Sequence, residues 1–178
     1  MGAVAVVAAL SGGCAGASPR SAAGSSTTVG YGRGSMEDAL ARMIRMRGDM
    51  MKALDAELGA RHWKIAANDD GPMGAGCNDG RSDTVGLRMY TFSGVYPPDR
   101  WHEAASVVEQ VGRRYGFDVV RRTVDRPGNL DMTGLAPDGG SYNFGMATAT
   151  VLSVTVGCYQ WTKTPGADAW QTLDPKPR

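Results

Sequence analysis

The sequence has no Lys or Arg before Arg20 and only two histidines. It also lacks any apolar run near the roughly 20 residues a bilayer-spanning helix requires. Each shortage excludes something. Without a longer run, no transmembrane helix is expected. With His62 and His102 as the only imidazoles, and no Cys-x-x-Cys or His-Glu-x-x-His, the usual zinc ligand sets are missing. There is no Gly-x-Ser-x-Gly elbow and no Walker loop. Gly71, Gly74, Gly76 and Gly80 do not have the spacing of a dinucleotide fingerprint. His102 adjoins Glu103, but neighbours on a helix point about 100° apart and form no dyad. Asp69, Asp70, Asp79 and Asp83 crowd one loop, yet Gly80-Arg81-Ser82 separates the last two and no Glu completes a calcium loop. A net charge of +1 gives no global attraction for nucleic acid. Arg113-Arg114 and Arg121-Arg122 read as solvated helix and strand faces. No catalytic residue, metal ligand or cofactor is therefore assigned.

What is present begins at the front. Gly2 to Leu10 is an uncharged run of Gly, Ala, Val and Leu, followed by Ser11-Gly12-Gly13-Cys14. A short apolar run ending in small residues suits the h-region and cleavage site of an export signal. A cysteine directly after such a site is where a bacterial lipoprotein is acylated. Residues 1–13 are expected to be a lipoprotein signal peptide and Cys14 the lipid attachment site. The charged n-region of such signals is absent here, and Leu10 lies one place early for a lipobox. A leader starting upstream of Met1 would account for the first. The alternative is an apolar N-terminus whose cysteine is incidental.

The chain holds 178 residues with 42% hydrophobic and 21% charged content, enough for one globular domain. Its three cysteines are an odd number, which leaves one unpaired in an exported protein. If Cys14 carries lipid, Cys77 and Cys158 remain for a disulfide, as an oxidising compartment permits. Two buried free thiols are the other reading.

Residues 14–34 are dominated by Ser, Gly, Ala and Thr, too poor in large apolar groups to order themselves, and read as a flexible tether. Residues 35–178 read as a single domain. Ser35 suits a helix N-cap, with Glu37 and Asp38 in the first turn. Leu40, Met43, Ile44, Met51, Leu54 and Leu58 recur at helical spacing, and Gly59 suits a stop, so a helix is predicted over 36–58. Five of the ten methionines fall there, as a soft core face or as an adaptable surface for lipid or a partner. Arg61 to Ile65 is a short strand candidate, residues 68–83 a loop, and Val85 to Tyr96 a strand. Pro97-Pro98-Asp99 opens a second helix carrying Trp101, Ala104, Ala105, Val108, Val111 and Tyr115 on one stripe. Strands are predicted over 117–124, 130–136, 141–149 and 151–161, with Pro137-Asp138-Gly139-Gly140 as a hairpin turn. In the last strand, alternation puts Cys158 on the apolar face with Leu152, Val154 and Val156. Residues 165–178 read as a mostly irregular tail. The expected fold is α+β: an antiparallel sheet of about five strands with two helices packed on one face.

Several of these features together resemble the mycobacterial LppA/LppV-type lipoproteins. They are the lipobox cysteine, the Ser/Gly tether, Leu58-Gly59, Trp63, Gly76-Cys77, Pro98-Asp99-Arg100-Trp101, Gly116-Phe117 and Leu152-Ser153-Val154-Thr155-Val156-Gly157-Cys158. The resemblance spans roughly residues 35–158. It implies a cell-envelope lipoprotein anchored by lipid on the extracytoplasmic face of the membrane, with Cys77 and Cys158 at the family's cysteine positions. It implies no catalytic residues. The strand aromatics Tyr90, Phe92, Tyr142 and Phe144 fall pairwise on common faces, either as core or as an exposed surface for glycan or lipid. The expected role is a non-enzymatic binding module for a lipid, glycolipid or envelope protein. The alternative is an envelope hydrolase or transferase whose site carries no familiar motif.

Overall fold

The computed structural model describes residues 30–166 and 170–175. The expected signal peptide, Cys14 and most of the tether lie outside them.

Helix α1 spans Met36–Leu58. The Ser35 hydroxyl accepts the Asp38 N–H at 3.2 Å, satisfying one of the first-turn donors. Glu37 and Asp38 sit at the positive end of the helix dipole. Gly59, with φ of 89°, closes the far end by donating its N–H to Asp55 O. Met36, Met43, Met46 and Met50 are all buried. The methionine stripe is therefore core and not a surface for lipid or a partner.

A short β1 (Lys64–Ile65) and an edge strand β2 (Met73–Gly76) follow. The second falls inside the stretch expected to be loop. The strand expected over 85–96 is two strands, β3 (Asp83–Gly86) and β4 (Tyr90–Ser93). Both pair with the same edge of a later strand. The ladder breaks between them because the Arg88 N–H turns to a carboxylate, Asp174 Oδ2, at 2.8 Å.

Helix α2 spans Trp101–Arg114, and Pro98-Asp99 form a turn before it. β5 (Val119–Arg126), β6 (Asn129–Leu135), β7 (Ser141–Met146) and β8 (Ala149–Tyr159) then run as an antiparallel meander. A short α3 (Trp170–Leu173) ends the described chain.

All pairings are antiparallel within one eight-stranded sheet of order β1-β4-β8-β7-β6-β5, with β3 on β8 and β2 beyond it. This is the α+β architecture expected, with more strands because short ones were hidden in loop and in an apparently continuous strand. α1 and α2 pack on each other, α1 against β8 and α2 against β6 and β7. Between helices and sheet lie Leu54, Val108, Phe117, Met132, Phe144, Leu152 and Val154, each almost wholly buried. Gly112 lets α2 settle onto the Tyr142 ring, where a Cβ would stand 2.6 Å from the ring edge. The opposite sheet face carries small polar side chains such as Thr133, Asn143, Ser153 and Thr155, all half-exposed. Asn143 there donates to Asp131 at 3.0 Å.

Candidate functional site

Tyr90, Phe92, Tyr142 and Phe144 all lie on the helix-covered face and are buried, so they form no exposed aromatic surface. Their rings pack on each other and on neighbours, as with Phe92 on Tyr96 at 5.3 Å and Phe117 on Tyr142 at the same separation. His102 is exposed on α2, with Nδ1 3.9 Å from Asp125. Asp79 closes the β2–β3 turn by accepting the Arg81 and Ser82 N–H groups at 3.0 and 2.8 Å. Those hydrogen bonds hold its carboxyl below the usual range. Among the described residues no group of three or more His, Cys, Asp or Glu gathers as a metal site.

Cys77 and Cys158 form a disulfide with a Cα–Cα separation of 6.1 Å. Its position departs from strand alternation. Val85 pairs with Val156 but Asp83 pairs with Tyr159, so β8 carries one extra residue there. This bulge shifts the phase. Tyr159 takes the buried side, and Cys158 is half-exposed rather than on the apolar face expected for it.

The bulge is the centre of a junction between four segments. The Cys158 N–H donates to Asp138 O at 2.9 Å, and its carbonyl accepts the Gly32 N–H at 3.0 Å. Its sulfur holds the β2–β3 turn through Cys77. Gly157 admits the Asp138 turn because a Cβ there would stand 2.4 Å from Asp138 O. The Asp138 carboxylate accepts the Gly140 N–H at 2.9 Å, the Tyr159 hydroxyl at 2.5 Å and Arg42 Nη2 at 3.3 Å. Arg42 also donates to Tyr159 Oη at 2.8 Å. Burial, then the bond to Asp138, push the Tyr159 phenol up to about 12.

The chain enters the domain across this junction. Gly30 donates to Pro137 O at 2.8 Å and Gly32 crosses the Tyr159 ring, where a Cβ would come within 2.0 Å. Ser35 then pairs with Gln160 as the chain turns into α1. Gly30 to Gly34, placed in the tether by composition, are thus laid along β8 as a strap. Open clefts of about 540 and 370 Å³ border it, one beside Tyr31, Asp79 and Arg81, the other beside Arg42, Asp118 and Tyr159. Arg42 and Tyr159 carried no sequence signal as partners. Asp138 did stand in a recognisable turn, but turn chemistry does not reveal what the side chain will meet across the fold.

The fold and this junction define a disulfide-closed α+β domain with helices on one sheet face and an N-terminal strap over the bulged strand. The chain belongs to the LppA family, described as a lipoprotein confined to pathogenic Mycobacterium, which matches residues 23–160. No curated protein sequence matches the chain. Two crystal structures share the fold. The putative lipoprotein LppA from Mycobacterium tuberculosis has a TM-score of 0.60 at 15% identity, covering 75% of this chain and 87% of that one. A DUF4853 family protein from Actinomyces odontolyticus ATCC 17982 has a TM-score of 0.58 at 15% identity, covering 84% and 81%. Among the described residues no helix is long and apolar enough to cross a membrane.

Proposed function

We propose that the chain is an envelope lipoprotein whose folded part is a non-enzymatic binding module. Residues 1–13 are a cleaved leader, Cys14 carries the lipid, and residues 15–29 link it to the strap. The membrane is then reached through acyl chains, and the domain is free to bind a lipid, a glycolipid or another envelope protein.

The observation that carries this reading is the match to a lipoprotein family over 23–160. The Cys77–Cys158 bond adds to it, because such bonds persist outside the reducing cytosol. Protein expressed from the full gene in its own kind of host should yield an N-terminal peptide starting at Cys14 with acyl mass added. An unmodified Cys14 in protein found free of membranes would overturn the anchor. Extraction of native lipids from the envelope-purified protein, followed by mass spectrometry, tests the binding role.

A further inference from the structure

At the end of α1 farthest from the strap, Asp55 fixes a tight turn. Its Oδ1 accepts the Arg61 N–H at 3.1 Å and the Trp63 indole N–H at 3.2 Å. That leaves the Arg61 guanidinium without a carboxylate among the described residues. It lies instead over Tyr96 and Phe92, 5.3 and 5.6 Å from the ring centroids. Trp63 packs edge-on against Phe92 at 4.8 Å and steadies that wall.

Stacking occupies the faces of a guanidinium and leaves its in-plane N–H groups free to donate. Arg61 Nε is buried and, like the nearby buried Tyr96 Oη, meets no hydrogen-bond partner among the described residues. The half-buried or buried arginines elsewhere, Arg42, Arg47, Arg88 and Arg100, each meet a carboxylate. A cleft of about 300 Å³ opens at Arg61, lined also by Ala60, His62, Lys64, Phe92 and Ser93. Its lining holds two permanent cations and a histidine and no carboxylate. Asp55 stands nearby but spends its hydrogen bonds on the Arg61 backbone and Trp63, and a partly desolvated guanidinium without an ion-pair partner gains from an arriving anion. A guanidinium edge with a second cation suits a phosphate, whose two or more non-bridging oxygens can accept from the fork and meet the second cation at once.

We propose that this cleft binds a phosphate group, presented by a phosphomonoester or by a phospholipid headgroup, with Arg61 as the forked donor and Lys64 as the second cation. The inference rests on the reading of the domain as a binding module and names the chemistry of its ligand. α1 is roughly 35 Å long at 1.5 Å per residue, so the cleft lies well away from the strap.

The test uses the full chain carrying Cys14→Ser with the Cys77–Cys158 bond formed. Heteronuclear NMR follows the Arg61 Nε–H and the amides of 60–64 and 92–93. Inorganic phosphate, glycerol 3-phosphate and phosphatidylcholine vesicles with or without phosphatidylglycerol are titrated in turn. A saturable downfield shift of Arg61 Nε–H is expected. R61Q should weaken binding by roughly tenfold or more and K64Q by less, whereas R45Q, on an exposed stretch of α1, should change nothing. If R61Q fails to fold, the exposed Lys64→Gln and His62→Gln variants carry the comparison. Preference for phosphatidylglycerol vesicles assigns a headgroup, and response to the soluble ester alone assigns a free ligand. No saturable shift with any probe, or the same shift in the charge variants, overturns the proposal. A native ligand lacking phosphate would do the same while leaving the binding-module reading intact.

Discussion

Arg47 grips Asp174 through two parallel hydrogen bonds of 2.7 and 2.6 Å, across 127 residues of sequence and in a fully buried setting. Asp174 also accepts the Arg88 N–H, and its carbonyl accepts Arg88 Nε at 3.0 Å. Arg47 continues to Arg88 O at 3.0 Å and lies over the Tyr90 ring at 4.5 Å. The Asp174 side chain, just after α3, thus fastens α3, α1 and the break between β3 and β4. Removing one partner of a buried pair strands the other's charge, which costs about 3–5 kcal/mol. Asp174→Asn is therefore expected to lower the melting temperature by about 10 °C, at roughly 2–4 °C per kcal/mol for a chain this size. Replacing both partners with apolar residues, as in Arg47→Met with Asp174→Leu, should recover much of that loss. Calorimetry on the three variants checks both statements.

Gly157 and Gly48 should respond to the same substitution with opposite signs. At Gly157 a Cβ meets the backbone oxygen of Asp138 at 2.4 Å. The hairpin cannot yield without losing the Cys158 N–H to Asp138 O bond. Gly157→Ala should cost about 1–3 kcal/mol by overpacking. Gly48 lies inside α1 with nothing within 4 Å of an added Cβ. Gly48→Ala should gain about 0.5–1 kcal/mol through helix propensity and a less disordered unfolded chain. Urea unfolding of both proteins measures the contrast.

The two long helices were legible in the sequence because their apolar stripes and end signals agree, whereas the four-residue α3, in the stretch read as a mostly irregular tail, was not. Ser35 and Gly59 bracket α1 as expected, and Gly116, with φ of 90°, follows α2. The strands were legible where alternation runs unbroken, as in β6 and β7. It fails where a single residue changes the phase or direction. The extra residue in β8 moves Cys158 off the apolar face, and periodicity cannot foresee a bulge. The break at Arg88 depends on a carboxylate 86 residues away. One signal was available: Arg47 follows Met43 by four and precedes Met50 by three, on the buried stripe. A lone arginine there demands an acid, though not which acid. Arg61 gave no such sign, since its neighbours in sequence look like an ordinary short strand.

Tyr142 and Tyr159 set an alkaline limit on stability. Burial pushes both phenols from the ordinary 10 up to about 12. Above pH 10 the unfolded chain gives up these protons while the native state keeps them. The native state then binds more protons, so stability is constant below about pH 10 and falls as pH rises toward 12. The two phenols differ in their partners. Tyr142 Oη is buried and has no hydrogen bond among the described residues, so Tyr142→Phe should be neutral or stabilising and should soften the alkaline fall. Tyr159 Oη donates to Asp138 and accepts from Arg42, so Tyr159→Phe should destabilise by about 1–3 kcal/mol at neutral pH. Denaturant midpoints measured from pH 7 to 11.5 separate the two cases.

Opening the disulfide tests how the junction is held. Cys77 and Cys158 are 81 residues apart, and closing a loop of that length removes about 4–5 kcal/mol of unfolded-chain entropy in the simplest account. Cys77→Ser with Cys158→Ser should lose a comparable amount, read from urea midpoints. The loss should also be local before it is global. Cys158 still offers its N–H to Asp138 and its carbonyl to Gly32, since both are backbone bonds that a serine retains. Once the sulfur bridge is gone, the β2–β3 hairpin is held through β3 alone, by its pairing to β8, the buried Val85 and the Trp161 indole N–H to Asp83 at 2.8 Å, while β2 pairs with β3. Hydrogen exchange in the double variant should therefore accelerate first at the amides of β2 and its turn, residues 73–82. The Gly32 amide should remain protected until global unfolding. Equal acceleration at both places would mean that the sulfur bridge, and not the Asp138 turn, secures the strap.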